Sequence, residues 1–451
     1  MYLQNLGLLR SAIVFAILAL VFVAQCYWFV RGWRLAGRAR TPAARRLLRG
    51  LWIGAFAFLV FCMVFFGMGG RAKMWRWSAL TAWTGLWLSS AFFAFLAVQV
   101  VASAAWVWNS VARLIRRPQQ PVRIGGTASP DSAPSPPVLA DPGRRRFVQA
   151  ATVLAGAVPF AAAGYGFAFE RLHYDVRQID LPLANLPPAL VGLRIAQLSD
   201  IHIGSYMSAS EVRRAVNIAN GLRADLTVVT GDFLTATNDP LEACIAELAR
   251  LRAPLGVWGC NGNHEIYAGV EALSAELFQR HGMRLLRQES AELTWHGQPF
   301  NLLGVDYQRE RNGAGIIRPM LRPIEKLVRR DVPNILLSHN PNSFRRAAEL
   351  GIELTLAGHT HGGQVTVEIL DHRFSAARFL TPYIAGFFAR PVGTPAGLDD
   401  AAAWAASADV GSAPGGVAHS VLYVNRGLGT IGMPVRLGVP PEITLHTLRR
   451  A

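Results

Sequence analysis

Five short stretches of this chain concentrate side chains that can hold a cation: "SDIH" at Ser199–His202, "TGD" at Thr230–Asp232, "GNHE" at Gly262–Glu265, "SHN" at Ser338–Asn340 and "GHTH" at Gly358–His361. Together they supply Asp200, His202, Asp232, Asn263, His264, His339, His359 and His361. The set offers hard oxygen and borderline nitrogen without a thiolate. That suits a pair of divalent ions such as Mn, Fe or Zn better than a structural zinc site. A carboxylate can bridge two ions, and two ions ~3.5–4 Å apart can clamp a phosphate and lower the pKa of a shared water. Taken singly, each stretch is ordinary: a histidine after a strand is usually a core-edge residue, and Asp after Gly is usually a turn. The five-fold coincidence is what points to a site.

Each stretch follows a strand-like run: "LRIAQLS", "DLTVVT", "GVWGC", "NILLS" and "ELTLAG". Between them lie the helical segments "SASEVRRAVNIANGL", "DPLEACIAELARL", "GVEALSAELFQRHG" and "NSFRRAAELG". This alternation predicts an α/β domain with mainly parallel pairing. Loops at the carboxyl ends of parallel strands converge on one crevice, so the runs would deliver their ligands to one place. Gly231, Gly262 and Gly358 each precede a ligand and permit the tight turns that convergence needs. The tail, from "HGGQVTVEI" to "PEITLHTL", reads as strands with few helices, interrupted by a Gly/Ala/Pro/Asp-rich insertion at about 391–416.

The chain has 451 residues, half of them hydrophobic and 16% charged. Four uncharged runs stand out: 20 residues between Arg10 and Arg31, 21 between Arg49 and Arg71, 36 from Trp77 to Ala112 and 23 from Phe147 to Phe169. About 20 apolar residues span a bilayer, so four transmembrane helices are expected. Most of the net charge of +16 sits with them: residues 1–170 hold 18 Lys+Arg against 3 Asp+Glu, whereas residues 171–451 hold 27 against 26. The large C-terminal portion therefore lacks the footprint of a polyanion binder, which disfavours nucleic acid as a partner and a nuclease as the activity. The arginines also predict orientation. Arg31 to Gly50 carries seven, and seven more precede the fourth span, whereas the turn between spans two and three holds only Arg71, Lys73 and Arg76. Positive loops stay cytoplasmic, so the chain is expected as a multi-pass protein of the cytoplasmic membrane with everything after Phe169 outside, in a bacterium the periplasm or outer surface. The spans hold no acidic or basic residue, so transport through them is unsupported.

The expected organisation is a three-helix transmembrane unit at 1–117 and a Pro/Ser/Ala-rich cytoplasmic linker at 118–143. A fourth transmembrane helix follows at 144–170, and the α/β domain occupies 185–450. The fourth segment, "RRRFVQAATVLAGAVPFAAAGYGF", resembles a twin-arginine export signal. Its arginines are equally the positive flank of any span, and a signal that is not cleaved becomes an anchor. Cys244 and Cys260 are read as buried thiols, since nothing in their spacing supports a disulfide.

"SDIH", "GD", "GNHE", "SHN" and "GHTHGGQ", in that order, resemble the calcineurin-like metallophosphoesterase superfamily. With the tail "LYVNRGLGT" and the membrane anchor, the chain is most similar to membrane-associated bacterial phosphodiesterases of the YkuE/YaeI type, over about residues 190–448. The resemblance implies a four-layer α/β/β/α sandwich and two divalent metal ions. Asp200, His202 and His361 would bind the first, Asn263, His339 and His359 the second, and Asp232 would bridge them. His264 would face the leaving group and help to protonate it, and Glu265 would orient a neighbouring group. Asn342 stands where relatives often carry an acidic residue. The implied activity is hydrolysis of a phosphodiester or pyrophosphate. A substrate in the plane of the membrane, such as a phospholipid headgroup or lipid-linked pyrophosphate, would suit the anchor. The rival expectation is a membrane-coupled metal or phosphate sensor without turnover.

His173, His281, His296, His372, His419 and His446 lie outside the motifs and are read as surface or packing residues. Gly427, Gly429 and Gly432 spell GxGxxG, but "MPVRLGVPP" follows where a dinucleotide fingerprint needs a helix. This reads as a loop at the rim of the site. Arg426 on it is expected as a surface arginine, with approach to a phosphate as the rival expectation.

Overall fold

The computed structural model describes residues 2–67, 78–115, 142–309, 320–369, 372–379, 381–392 and 419–451. The expected linker lies outside these residues except for its last two positions, and the expected insertion except for its first two. The chain divides into two compact units, Met1–Arg71 with Trp83–Gly164, and Ala72–Ala82 with Tyr165–Ala451.

The first unit is helical: α1 (Tyr2–Ala36), α2 (Pro42–Gly67), α3 (Ser78–Ile115) and most of α4 (Pro142–Ala168). The described parts of the four uncharged runs fall almost entirely on these helices. Trp83–Ala112 and Gly143–Leu172 are long and apolar enough to cross a membrane. The packing is inverted relative to a soluble bundle. Small side chains are inside, with Ala24, Cys62, Ser90, Ala91 and Ala94 buried, while Phe15, Phe22, Leu51, Val100, Trp106 and Trp108 point outward at 62–71% exposure. Small residues let helices approach closely where lipid, not water, is the solvent. Indole N–H groups bond across the helices: Trp28 donates to the Ala91 carbonyl at 2.7 Å and Trp52 to that of Phe29 at 3.0 Å.

The second unit is built on two six-stranded sheets. In chain order its elements are β1 (Asp175–Leu183), β2 (Arg194–Leu198), α5 (Ala209–Gly221), β3 (Leu226–Thr230), α6 (Leu241–Leu248), β4 (Val257–Cys260), α7 (Asn263–Ala268), α8 (Glu271–Arg280) and β5 (Arg284–Leu285). Then follow β6 (Glu289–Trp295), β7 (Gln298–Val305), β8 (Asn334–Ser338), α9 (Phe344–Leu350), β9 (Leu354–Ala357), β10 (Val367–Ile369), β11 (His372–Phe374), β12 (Gly386–Pro391), β13 (His419–Val424) and β14 (Glu442–Arg450). The first sheet runs β1-β14-β2-β3-β4-β5 and the second β12-β13-β9-β8-β7-β6, with β10 and β11 as a separate pair. Strands β2 to β5 pair in parallel, as do β13, β9, β8 and β7. β1, which pairs in parallel with β14, lies upstream of the residue 185 at which the sequence pattern starts the domain.

Alternation along the strands sorts side chains into layers. Val228, Leu302, Leu337 and Leu356 fill the space between the sheets. Val229, one residue on, faces α5, α6 and α8, where it meets Val216, Ile245 and Phe278. Leu303 and Leu336 turn to the opposite side, against Ala347 of α9. The result is the expected α/β/β/α sandwich. Helix α5 illustrates the local logic. Ser208 caps it, accepting the Glu211 N–H while Glu211 Oε2 accepts that of Ser208 at 2.7 Å. Val212, Ala215, Val216 and Ala219 recur at helical spacing and are buried. All four cysteines are free, with Cys244 and Cys260 buried as expected.

Candidate metal centre

The expected ligands come together. β2 ends at Leu198, and the next residues carry Asp200 and His202; β3 delivers Asp232, β4 delivers Asn263 and His264, β8 delivers His339, and β9 delivers His359 and His361. Parallel pairing in each sheet places these ends on one edge. Asp200, His202 and His361 form one cluster and Asp232, His339 and His359 a second, with donor atoms within 4.8 Å of one another in each. His202, Asp232 and His264 meet the same limit. Asp232 Oδ2 lies 3.5 Å from His202 Nε2 and 3.1 Å from His339 Nε2, so one carboxylate touches both clusters.

The backbone is bent to achieve this. Asp200, His202, Asp232, His359 and His361 all have positive φ, between 49° and 76°. For residues with a Cβ this costs on the order of 1–3 kcal/mol each. The surrounding hydrogen bonds hold the bends. Asp200 N donates to the Gly231 carbonyl at 3.0 Å and His202 N to that of Asp232 at 2.9 Å. Both Asp200 oxygens accept the His359 N–H, at 3.0 and 3.1 Å. A Cβ on Gly358 would collide with Ser199 Oγ and Asp200 Oδ2, and one on Gly262 with Asp232. Glycine is required at both by space.

The donor chemistry fits cations. His339 gives its Nδ1 hydrogen to the Thr230 carbonyl at 2.7 Å, which turns Nε2 toward Asp232. That buried Nε2 has no hydrogen-bond partner, and neither has the buried Oδ1 of Asn263. His202 Nε2 and His361 Nε2 face each other at 3.1 Å, and His361 Nε2 is 3.3 Å from Asp200 Oδ1. Lone pairs converging this closely repel unless a proton or a cation sits between them. Burial holds His202 down at about 3 and His359 at about 4, and drives His361 well below its usual range, so these rings are neutral ligands. At His339 burial works the same way, but Asp232 and Asp200 outweigh it and lift the imidazole to about 10. Burial favours protonation of Asp232, yet His339 and His202 overcome it and hold the carboxylate ionised. These are the residues expected to hold divalent ions, and their protonation tendencies report a site short of positive charge.

His264 is only partly buried. Its Nδ1 donates to the Thr235 carbonyl at 2.7 Å, and its ring stands edge-on to His202 with centroids 4.7 Å apart. That bond commits Nδ1 to the backbone and fixes the ring.

Residues around the ligands complete the site, and Glu265 takes the orienting place that its motif implies. Glu265 is fully buried and accepts the backbone N–H groups of Asp232, Phe233 and Gly262 at 2.9, 2.8 and 2.7 Å. Its position in "GNHE" is the only signal for this. Arg436, also fully buried, donates to the carbonyls of Arg426, Gly427, Gly429 and Val439. It thereby shapes the GxGxxG loop, whose Leu428 and Gly429 N–H groups bond the Ser199 and Asp200 carbonyls at 3.0 and 2.7 Å. Arg426 corrects the expectation of a surface or phosphate-reaching arginine. Its side chain is 11% exposed and pairs with Glu442 at 3.2 Å and Asp175 at 3.5 Å, because the buried Glu442 requires a cation. Asn342 accepts the Thr381 hydroxyl at 2.9 Å, a role that does not need a carboxylate. Tyr307 and Arg309 follow β7, a strand whose run "FNLLGVDY" ends as the motif runs do.

Comparison with known proteins agrees with this arrangement. Residues 193–363 match the family described as calcineurin-like phosphoesterase. Residues 9–171 match the family described as the probable transmembrane domain of a calcineurin-like phosphoesterase. The chain is 27% identical over 313 residues to a transmembrane protein with metallophosphoesterase domain from Danio rerio, covering 66% of this chain and 63% of that one. Against its counterpart from Bos taurus the identity is 30% over 293 residues, covering 61% and 57%. The uncharacterized metallophosphoesterase YkuE of Bacillus subtilis is 27% identical over 313 residues, covering 68% of this chain and 97% of YkuE. The chain thus spans about three fifths of the two vertebrate relatives' length. With its α/β sandwich at the matched residues and its apolar helices ahead of it, the chain carries a calcineurin-like phosphoesterase domain at residues 193–363 and, at residues 9–171, the transmembrane domain described for such phosphoesterases.

Proposed function

We propose that this protein is a phosphoester hydrolase that uses two divalent ions, anchored in the cytoplasmic membrane with its α/β domain on the outer face. Asp200, His202 and His361 would hold one ion and Asn263, His339 and His359 the other, with Asp232 placed to serve both. Ions at those positions would supply Lewis acidity toward a phosphate and lower the pKa of a water. The chain's own residues do the rest. Thr230 and Thr235 fix His339 and His264 through their Nδ1 hydrogens. Glu265 holds the Asp232 turn. His264 Nε2, facing away from Thr235, carries a proton to the departing oxygen. A single observation carries the reading: two buried carboxylates, Asp200 and Asp232, and the Nε2 atoms of His202, His339 and His361 converge at 3.1–3.5 Å.

The outward face follows from the arginine-rich segments before α2 and α4. An anchored domain raises the encounter rate with substrates in the membrane plane, and phospholipid headgroups or lipid-linked pyrophosphates are the proposed class. The test is hydrolysis of bis(p-nitrophenyl) phosphate by the full chain in detergent with added Mn²⁺. Turnover that is lost in Asp232→Asn supports the reading. Metal binding with no turnover of any phosphoester would overturn it in favour of a sensor.

A further inference from the structure

A second group of side chains stands beside the ligands and is used by none of the contacts above. Tyr307 lies with its ring centroid 5.3 Å from His359 and 6.1 Å from His339. Tyr267, on α7 and 57% exposed, lies 6.0 Å from His264. The guanidinium of Arg309 joins them, 5.3 Å from the Tyr267 ring and 5.6 Å from the Tyr307 ring, and its Nε–H reaches Tyr307 Oη at 3.4 Å. One cation thus connects the leaving-group side of the centre to the side of the second cluster.

Arg309 is exposed and, among the described residues, has no carboxylate partner. Its neighbours in kind are committed: Arg287 to Asp306, Arg329 to Glu292 and Asp331, Arg346 to Glu325 and Glu349, Arg426 to Glu442. The rings that cover it leave its terminal N–H donors as the means of recognition, a fork that matches oxyanions. A nucleobase is disfavoured as occupant because the tyrosine faces already carry the guanidinium. A long polyanion is disfavoured by the near-balanced charge of residues 171–451.

We infer that Tyr267, Arg309 and Tyr307 form a second anion subsite, which selects substrates whose reacting phosphate is bonded to another phosphate. The inference rests on the hydrolase reading and narrows it to diphosphate diesters. In that reaction a water oxygen bonds to the reacting phosphorus and the P–O–P bridge breaks. The bridging oxygen leaves with its electron pair on the second phosphate, whose charge Arg309 neutralises. The water gives up its protons, one of them reaching the leaving phosphate by way of His264 or solvent, and two phosphomonoesters result.

The experiment uses the full chain in detergent, loaded with Mn²⁺, and compares wild type with Arg309→Ala, Arg309→Lys and Tyr307→Phe. One arm measures binding of methylenediphosphonate against methylphosphonate by calorimetry. The other measures kcat/KM for a diphosphate diester against bis(p-nitrophenyl) phosphate. Wild type is expected to favour the two-phosphorus member of each pair. Arg309→Ala should reduce that preference about tenfold, the effect of one charge-assisted contact, and Arg309→Lys should restore part of it. An unchanged preference in Arg309→Ala, with both esters still hydrolysed, overturns the subsite and leaves the hydrolase standing. Wild type that binds neither phosphonate and hydrolyses neither ester overturns both.

Discussion

The carboxylate of Glu265 accepts the backbone N–H of Asp232 at 2.9 Å, so a buried acid holds in place the turn that carries the shared ligand. Burial, then the neighbouring Asp232, lifts the Glu265 carboxyl to about 7. The fold retains it there because the N–H groups of Phe233 and Gly262 converge on the same side chain. Asp232 has φ of 55°, a conformation it would leave if these bonds were lost.

Glu265→Ala is therefore expected to cost about 2–4 kcal/mol of stability, since buried donors lose a charged acceptor. It should also weaken divalent-metal affinity about 10–100-fold. Glu265→Gln keeps one acceptor oxygen and should fall between. Thermal unfolding together with Mn²⁺ or Zn²⁺ titration measures both. Wild-type metal affinity in Glu265→Ala would mean that the turn holds itself.

Asp232→Asn removes the carboxylate whose Oδ2 lies 3.5 Å from His202 Nε2 and 3.1 Å from His339 Nε2. Bound metal, counted by elemental analysis, is expected to drop from a pair of ions to one, and phosphodiester turnover by at least about a hundredfold. Full metal content in the variant would contradict a bridging position.

Two glycine substitutions separate space from flexibility. Gly358→Ala drives a methyl into Ser199 and Asp200 and should cost about 1–3 kcal/mol along with metal binding. Gly221→Ala, at the end of α5 with nothing within 4 Å of the added atom, should stabilise by about 0.5–1 kcal/mol. Unfolding midpoints of the two variants should move in opposite directions.

His446 on β14 is fully buried, bonded through Nε2 to Gln197 Oε1 at 2.9 Å, and burial holds it down at about 3. The folded state keeps this ring neutral, whereas an unfolded histidine titrates near ~6.5. Its contribution is complete above about pH 6.5 and disappears as pH falls toward 3, with a slope of up to ~1.4 kcal/mol per pH unit. Denaturant unfolding from pH 7.5 to 4 should show a shallower acid loss in His446→Gln than in wild type. Parallel curves would mean that His446 is protonated in the fold.

The arginine distribution predicts that an alkaline phosphatase reporter fused after Ala451 is active, because that enzyme matures only outside the cytoplasm. An inactive fusion that is nonetheless expressed at full length would reverse the orientation.

Much of this was legible in one dimension. The ligand types, their places after strand-like runs, the four uncharged stretches and the confinement of positive charge to residues 1–170 are properties of short segments, and short segments obey local rules of periodicity and solvation. The sequence therefore determined the fold class, the ligand inventory and the expectation of a membrane. Tertiary structure decided what depends on register between two sheets that are far apart in the chain: that Asp232 lies between His202 and His339, and that five ligands occupy left-handed backbone. It also decided that Arg426 answers Glu442 and that Tyr307 and Arg309 arrive beside the ligands from β7. No periodicity encodes these, because each is a meeting of side chains whose distance is set by packing across the core and not by their spacing along the chain.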